Sequence, residues 1–233
     1  MKATNLIKEL KAKASKKKAI LLSGFFKTGK GHYGEGDKFL GITVPEQRII
    51  AKKYIDISFE DLSNLVSSEW HEVRLTAFII LTLKFKKIKI NSERKDIFDF
   101  YLKNVKYVNN WDLVDLTCHV IIGKFLLDKP RDLLYKLVCS HNLWEKRIAI
   151  VSCFAFIREK DFKDAIKISE ILLLDKHDLI HKAVGWMLRE IGKKDVDVLR
   201  SFLSKHYHEM PRTMLRYSIE RLPEIERKKW LAK

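Results

Sequence analysis

The sequence predicts an all-α protein, a solenoid of tandem antiparallel helix pairs with a concave basic groove, and three observations predict it. Apolar residues recur at helical spacing almost throughout, with short polar breaks between them. Breakers are scarce: 233 residues hold four prolines and nine glycines, and four of the glycines, Gly29, Gly31, Gly34 and Gly36, share one loop. Finally, one pattern recurs. Val73-Arg74-Leu75-Thr76-Ala77, Val114-Asp115-Leu116-Thr117-Cys118, Lys146-Arg147-Ile148-Ala149-Ile150, Lys182-Ala183-Val184-Gly185-Trp186 and Leu215-Arg216-Tyr217-Ser218-Ile219 align at offsets of 41, 32, 36 and 33 residues. That is the period of a helix-pair solenoid.

Taken in order, Met1–Lys18 reads as an amphipathic basic helix rather than a signal peptide, within a helix or helix pair that runs through Phe26. The loop Lys27–Asp37 follows. Its glycines suggest a phosphate loop, but it lacks both the P-loop spacing and the apolar strand that would aim one. It reads as a turn, or as a connection that touches phosphates through Lys27 and Lys30. Helices are predicted over Val44–Ile55 and Ser58–Ser67, with Pro45 marking a start. Each aligned segment should lie in the first turns of a helix, with second helices at Ser92–Val105, Pro130–Cys139, Phe162–Leu174 and Asp195–His206. Pro130 suits a first turn, Ser92 and Asp195 are candidate N-caps, and Gly192 is expected to end a helix just past Arg189-Glu190. A repeat cannot bury its apolar face alone, so the pairs must stack. The expected organisation is one domain over 1–233, with basic helices and a glycine-rich loop in 1–43 and repeats in 44–233.

Hydrophobic residues make up 46% of the chain and charged ones 33%, an ordinary globular balance. Lys and Arg number 46 against 30 Asp and Glu, a formal charge of +16. Such an excess repels itself unless a polyanion offsets it, so nucleic acid is the leading partner; a generally lysine-rich proteome is the plainer explanation. Cys118, Cys139 and Cys153 lack metal-ligand spacing and read as buried thiols in a reducing cytosol. His71, His119, His177 and His181 form no metal set with the acidic residues. No stretch approaches the roughly 18 apolar residues of a membrane span, so a cytoplasmic protein is expected.

One repeat position stands out. Three copies carry arginine there (Arg74, Arg147, Arg216), whereas the second carries Asp115. Equivalent positions share a groove, which sets a carboxylate among cations and keeps it ionised; alternatively, Asp115 is a structural ion-pair partner of Arg74 or Arg147. Trp111 precedes Asp115 by four residues, so indole and carboxylate share a helix face about 6 Å apart along the axis. Trp186 lies at the corresponding helix start two repeats on, while Trp70, Trp144 and Trp230 read as packing residues. A carboxylate between indoles suits a cation. A sugar losing its base is one, with positive charge at C1′. Glycosidases acting on neutral leaving groups generally need two carboxylates, but an N3- or N7-alkylated purine is already charged and leaves neutral, so one can suffice.

The segments Asn110–Asp115, Asn142–Arg147 and Lys182–Glu190, together with Gly34–Ile42 and Val44–Arg48, resemble the AlkD family of HEAT-like-repeat DNA alkylation repair glycosylases, in the same order and over nearly the whole chain. The resemblance implies a monomeric, cofactor-free and metal-free DNA glycosylase that releases 3-methyladenine and 7-methylguanine from duplex DNA. Asp115 would be catalytic, with Trp111 and Trp186 against the deoxyribose and Arg147 and Arg189 on phosphates. Arg74, Lys182 and Phe26 join Lys27 and Lys30 as further candidates for DNA contact. The family is thought to act without drawing the base into a pocket. Two departures bear on lesion range and affinity: phenylalanine stands at Phe25 or Phe26 where some members have tyrosine, and Ala155 replaces a phosphate-contacting lysine. The rival readings are a non-enzymatic HEAT-like binder of damaged or branched DNA and a protein-binding scaffold.

Overall fold

The computed structural model describes residues 2–232, and its regular elements are helical, apart from one isolated parallel bridge between Lys38 and Trp70. The chain divides into two compact units, one up to Ile121 and one from Ile122.

The first unit contains α1 (Ala3–Ala12), α2 (Lys16–Phe25), α3 (Val44–Lys53), α4 (Phe59–Val66), α5 (His71–Lys87), α6 (Asn91–Lys103) and α7 (Trp111–Cys118). Local chemistry sets their starts. Ser15 accepts from the Lys18 N–H to open α2, Thr43 and Glu46 form a capping box at α3 with Pro45 in its first turn, and Ser58 caps α4 ahead of Glu60 and Asp61. The α5 helix is buried on nearly all sides from His71 to Thr82, as befits a helix enclosed by neighbours. It packs against α3, α4, α6 and α7, and α1 covers α3 and α4. The Asp61 carboxylate ties α1 down by accepting from the Ala3 N–H at 2.9 Å.

The second unit contains α8 (Asp132–Val138), α9 (Leu143–Ser152), α10 (Phe154–Arg158), α11 (Lys163–Ile171), α12 (Asp178–Lys194), α13 (Val196–His206), α14 (Arg212–Ser218) and α15 (Glu224–Leu231). Here α12 is the hub, touching α9, α10, α11, α13 and α14. Gly185 permits its close approach to α14, because a Cβ there would lie 2.5 Å from Tyr217 Cβ and 2.6 Å from the Met214 carbonyl oxygen. Asp195 caps α13 by accepting from the N–H groups of Asp197 and Val198.

All five aligned segments begin within the first two turns of a helix, in α5, α7, α9, α12 and α14, and the last runs one residue past the end of α14. Several finer expectations need correcting. The N-terminal stretch breaks into two helices at Lys13–Ser15, α6 starts at Asn91 with Ile90 in the cap position, and Pro130 lies ahead of α8. Gly192 does not end a helix. It lies inside α12, where a Cβ would meet Leu199 Cδ2 at 2.5 Å, so packing and not capping requires glycine. Cys118 and Cys153 are buried but Cys139, at the end of α8, is exposed. Trp70, Trp144 and Trp230, read as packing residues, are half-buried. Among the described residues no helix is long and apolar enough to cross a membrane.

Candidate functional site

Asn110 is fully buried and starts α7, its side-chain oxygen accepting from the Trp111 N–H at 2.8 Å. This fixes the first turns of α7, so Trp111 and Asp115, one turn apart, are both half-buried and both line a cavity of about 520 Å³ in the first unit. Most of the cavity wall is apolar. Phe26 stacks on Trp111 with centroids 5.1 Å apart and planes 15° apart, and it stacks equally closely on Phe39. Phe39 in turn stacks on the His71 ring at 4.6 Å. Phe25 stands edge-on to Trp111 at 5.8 Å and is 64% exposed, whereas Phe26 is 7% exposed. The residue expected to reach DNA, Phe26, is thus an interior plate behind Trp111; the aromatic side chain open to solvent is its neighbour Phe25.

A buried ionic network underlies this aromatic wall. His71 donates from Nε2 to Asp112 at 2.9 Å and from Nδ1 to Asp37 at 3.1 Å. Burial alone would hold the imidazole neutral, but Asp112 and Asp37 outweigh it and raise its pKa to about 9, with Arg74 opposing them. Burial likewise disfavours the Asp37 carboxylate, yet the hydrogen bond from His71 and the charge of Arg74 carry its pKa below the ordinary value. Arg74 is 4% exposed and gives its terminal nitrogens to Asp37 at 2.6 Å, to the Asn109 side chain at 3.1 Å and to the Ser68 carbonyl at 2.9 Å. Arg74, expected at a phosphate, is therefore an internal clamp with no face turned to solvent. Beside it, buried Glu72 accepts from the backbone N–H groups of Leu40, Gly41 and Ile42 at 2.9, 2.7 and 3.2 Å. Gly41 is required there: its φ is +85°, and a Cβ would lie 2.2 Å from the Ser15 carbonyl oxygen.

The remaining candidates occupy two settings. Lys27 and Lys30 are exposed on the loop after α2, which folds back so closely that a Cβ on Gly34 would sit 2.3 Å from the Phe26 carbonyl oxygen. In the second unit, α12 carries Lys182, Trp186 and Arg189 along its length. Trp186 is half-buried beside Phe154 at 5.8 Å, Lys182 pairs with Asp178 at 2.6 Å, and Arg189 pairs with Glu220. Arg147 on α9 is 5% exposed and donates to the Leu179 carbonyl, which joins α9 to α12. Ala155, at the second departure, is buried at 5% exposure.

Sequence reading missed the network of His71, Asp112, Asp37 and Glu72. One signal was available: His71 and Asp112 are 41 residues apart, the offset between the first two aligned segments, so they occupy matching repeat positions. Among the described residues no group of three or more His, Cys, Asp or Glu is arranged to hold a metal ion.

This fold and site define an all-helical repeat protein whose first unit presents a carboxylate beside an aromatic-walled cavity. Residues 6–222 match the DNA alkylation repair enzyme family, and the chain belongs to it. Two solved structures share the fold. One is described as a predicted DNA alkylation repair enzyme from Enterococcus faecalis, with a TM-score of 0.70 and 16% identity over 91% of this chain and 97% of that one. The other is AlkD2 from Streptococcus mutans, with a TM-score of 0.54 and 17% identity over 94% of this chain and 97% of that one. No curated protein matches the sequence.

Proposed function

We propose that this DNA alkylation repair enzyme is a glycosylase that hydrolyses the N-glycosidic bond of cationic N3- or N7-alkylated purines in duplex DNA. The single observation that supports this reading most is the shared exposure of Asp115 and Trp111 to one cavity, a carboxylate and an indole one turn apart on α7. In this reading the bond between C1′ and the purine nitrogen breaks, and its electron pair neutralises the ring. The Asp115 carboxylate stabilises the positive charge left at C1′ and O4′, and water adds to C1′ and releases a proton. A low-dielectric surround makes that stabilisation worth more than it is in water. Trp111 offers an aromatic face to the same charge.

The second unit contributes to DNA binding: Lys182 and Arg189 on α12 contact phosphates, and Trp186 contacts a deoxyribose. Lys27 and Lys30 add exposed positive charge from the first unit. Arg147 is given a supporting role, because it is buried and bonded to the Leu179 carbonyl. The protein acts as a monomer and without a cofactor. Release of 7-methylguanine from methylated duplex DNA tests the reading. Wild-type protein should release the base and Asp115→Asn should not; excision at an undiminished rate by that variant removes Asp115 from the chemistry.

A further inference from the structure

Arg74, Arg131, Arg189 and Arg200 each pair with a carboxylate. A different set of arginines meets in the second unit without such partners. Arg212, Arg216 and Arg227 line a concavity of about 340 Å³. Arg212 and Arg216 stand one turn apart on α14 and are exposed, while Arg227 comes from α15 and is half-buried. Among the described residues none of the three forms an ion pair. Arg212 donates to the Leu231 carbonyl at 2.6 Å, and the buried Nε of Arg227 has no hydrogen-bond partner. The carboxylate of the wall, Glu220, is already engaged: it accepts from Arg189 and lies 3.8 Å from Arg221 Nε. Guanidiniums do not lose their charge in proteins, and like charges one turn apart destabilise the helix that carries them. An anion held between them offsets that repulsion, and the arginine fork matches the oxygens of phosphate two at a time.

We propose that Arg212, Arg216 and Arg227 form one phosphate-binding site, and that its ligand is a single phosphodiester of the DNA backbone. The inference rests on DNA as the substrate, as in the reading above, and not on the chemistry at Asp115. The repeat explains why these guanidiniums are available. Arg74 and Arg147 direct theirs at the segment leading into the next aligned helix, Asn109 ahead of α7 and Leu179 at the start of α12. Arg216 holds the same repeat position on α14, but the helix that follows, α15, meets it with Arg227 and no acceptor. The bond from Arg212 to Leu231 fastens the end of α15 to the start of α14, so the third arginine is held beside the other two. The volume lies at the small end of ligand sites, roughly 300–1,000 Å³, and suits a phosphate with its flanking atoms.

The test is fluorescence anisotropy of the full-length protein with a labelled duplex, titrated over a series of salt concentrations. The salt slope counts phosphates neutralised and not side chains, so three arginines on one phosphate make a specific demand. The triple variant Arg212→Gln, Arg216→Gln and Arg227→Gln should lower the slope by about one. A fall of about two or more means separate surface contacts and overturns the shared site. Circular dichroism reports folding, and Arg216→Gln, which breaks no bond within the protein, serves where the triple variant unfolds. That single change should weaken the duplex about tenfold, the worth of one hydrogen bond to a charged group; unchanged affinity and slope overturn the duplex as ligand. Calorimetric titration with inorganic phosphate at constant ionic strength reads the other source of the same chemistry. Saturable binding that Arg216→Gln abolishes, with duplex affinity unchanged, keeps the phosphate site and moves its ligand from the backbone to free phosphate. Absence of both effects overturns the proposal entirely. Base release distinguishes it from the glycosylase reading. Wild-type protein with an arginine-dependent slope that frees no 7-methylguanine retains the phosphate site and loses the glycosylase; release of base with these arginines irrelevant to DNA and to phosphate does the reverse.

Discussion

The surroundings of Asp115 in the first unit and the α12 helix in the second derive from the same repeat, yet they differ in composition. Asp115 opens into a wall with no lysine or arginine, whereas α12 carries Lys182, Arg189, Lys193 and Lys194 along one helix. The arginine position of the repeat is itself divided: Arg216 is exposed, whereas the other two are buried. Arg74 and Arg147 are 4% and 5% exposed and bond to neighbouring segments of their own units. Two of the three copies with arginine at this position thus use it as internal mortar. The second copy carries Asp115 there instead, a half-buried carboxylate that lines the cavity. A stacked array tolerates such an exchange because each copy depends mainly on its neighbours.

The most direct way to break this contrast is at the exception itself. Asp115→Asn is expected to lower base release by roughly 100- to 1,000-fold, the cost of removing one preorganised electrostatic group, with little change in DNA affinity; single-turnover excision and a binding titration check the two parts. Arg74→Met attacks the rule in place of the exception. It leaves Asp37 buried without its guanidinium and should cost about 3–5 kcal/mol of stability, measured by chemical denaturation. If Arg74 contacted phosphate instead, stability would hold and DNA affinity would fall.

The buried network also sets a pH window. The His71 pKa is raised to about 9, so its contribution is full below the ordinary imidazole range and is lost as pH rises through about 9. The loss is on the order of 3 kcal/mol, because each tenfold gain in proton affinity on folding is worth about 1.4 kcal/mol. Thermal midpoints measured from neutral to alkaline pH should fall across that range, and His71→Gln should flatten the fall. On the acid side the sign reverses. Asp37 is held below its ordinary value, so its contribution is lost only as pH drops through that lowered value. The smallest expected effect belongs to α12: Lys182→Gln and Arg189→Gln should each weaken DNA binding uniformly across sequences and reduce the salt slope by about one. A double variant with unchanged salt dependence would place the phosphate contacts elsewhere.

The contrast between Asp115 and Arg74 also shows what the sequence could reveal. Repeat alignment identified Asp115 as the odd member, and helical spacing put Trp111 on its face, because both inferences use distances along one helix. The same alignment assigned Arg74 to the groove with Asp115, but Arg74 is turned into the unit by Asp37, 37 residues earlier in a loop with no regular structure. Phe25 and Phe26 posed a similar problem. They are adjacent in sequence at the end of α2, and only the arrival of Trp111 and Phe39 decided that Phe26 would be the buried ring and Phe25 the exposed one.

By itself the sequence determined the helices and their repeat, from local periodicity and caps, together with the excess of positive charge and the residues that mark the family. Tertiary structure alone decided which charges would be buried in pairs, that the glycine-rich loop would deliver Asp37 to His71 and Arg74, and that a largely apolar cavity would form beside Asp115. The physical reason is range: helix propensity acts over a few residues, whereas desolvation and ion pairing depend on segments that meet only when the chain is folded.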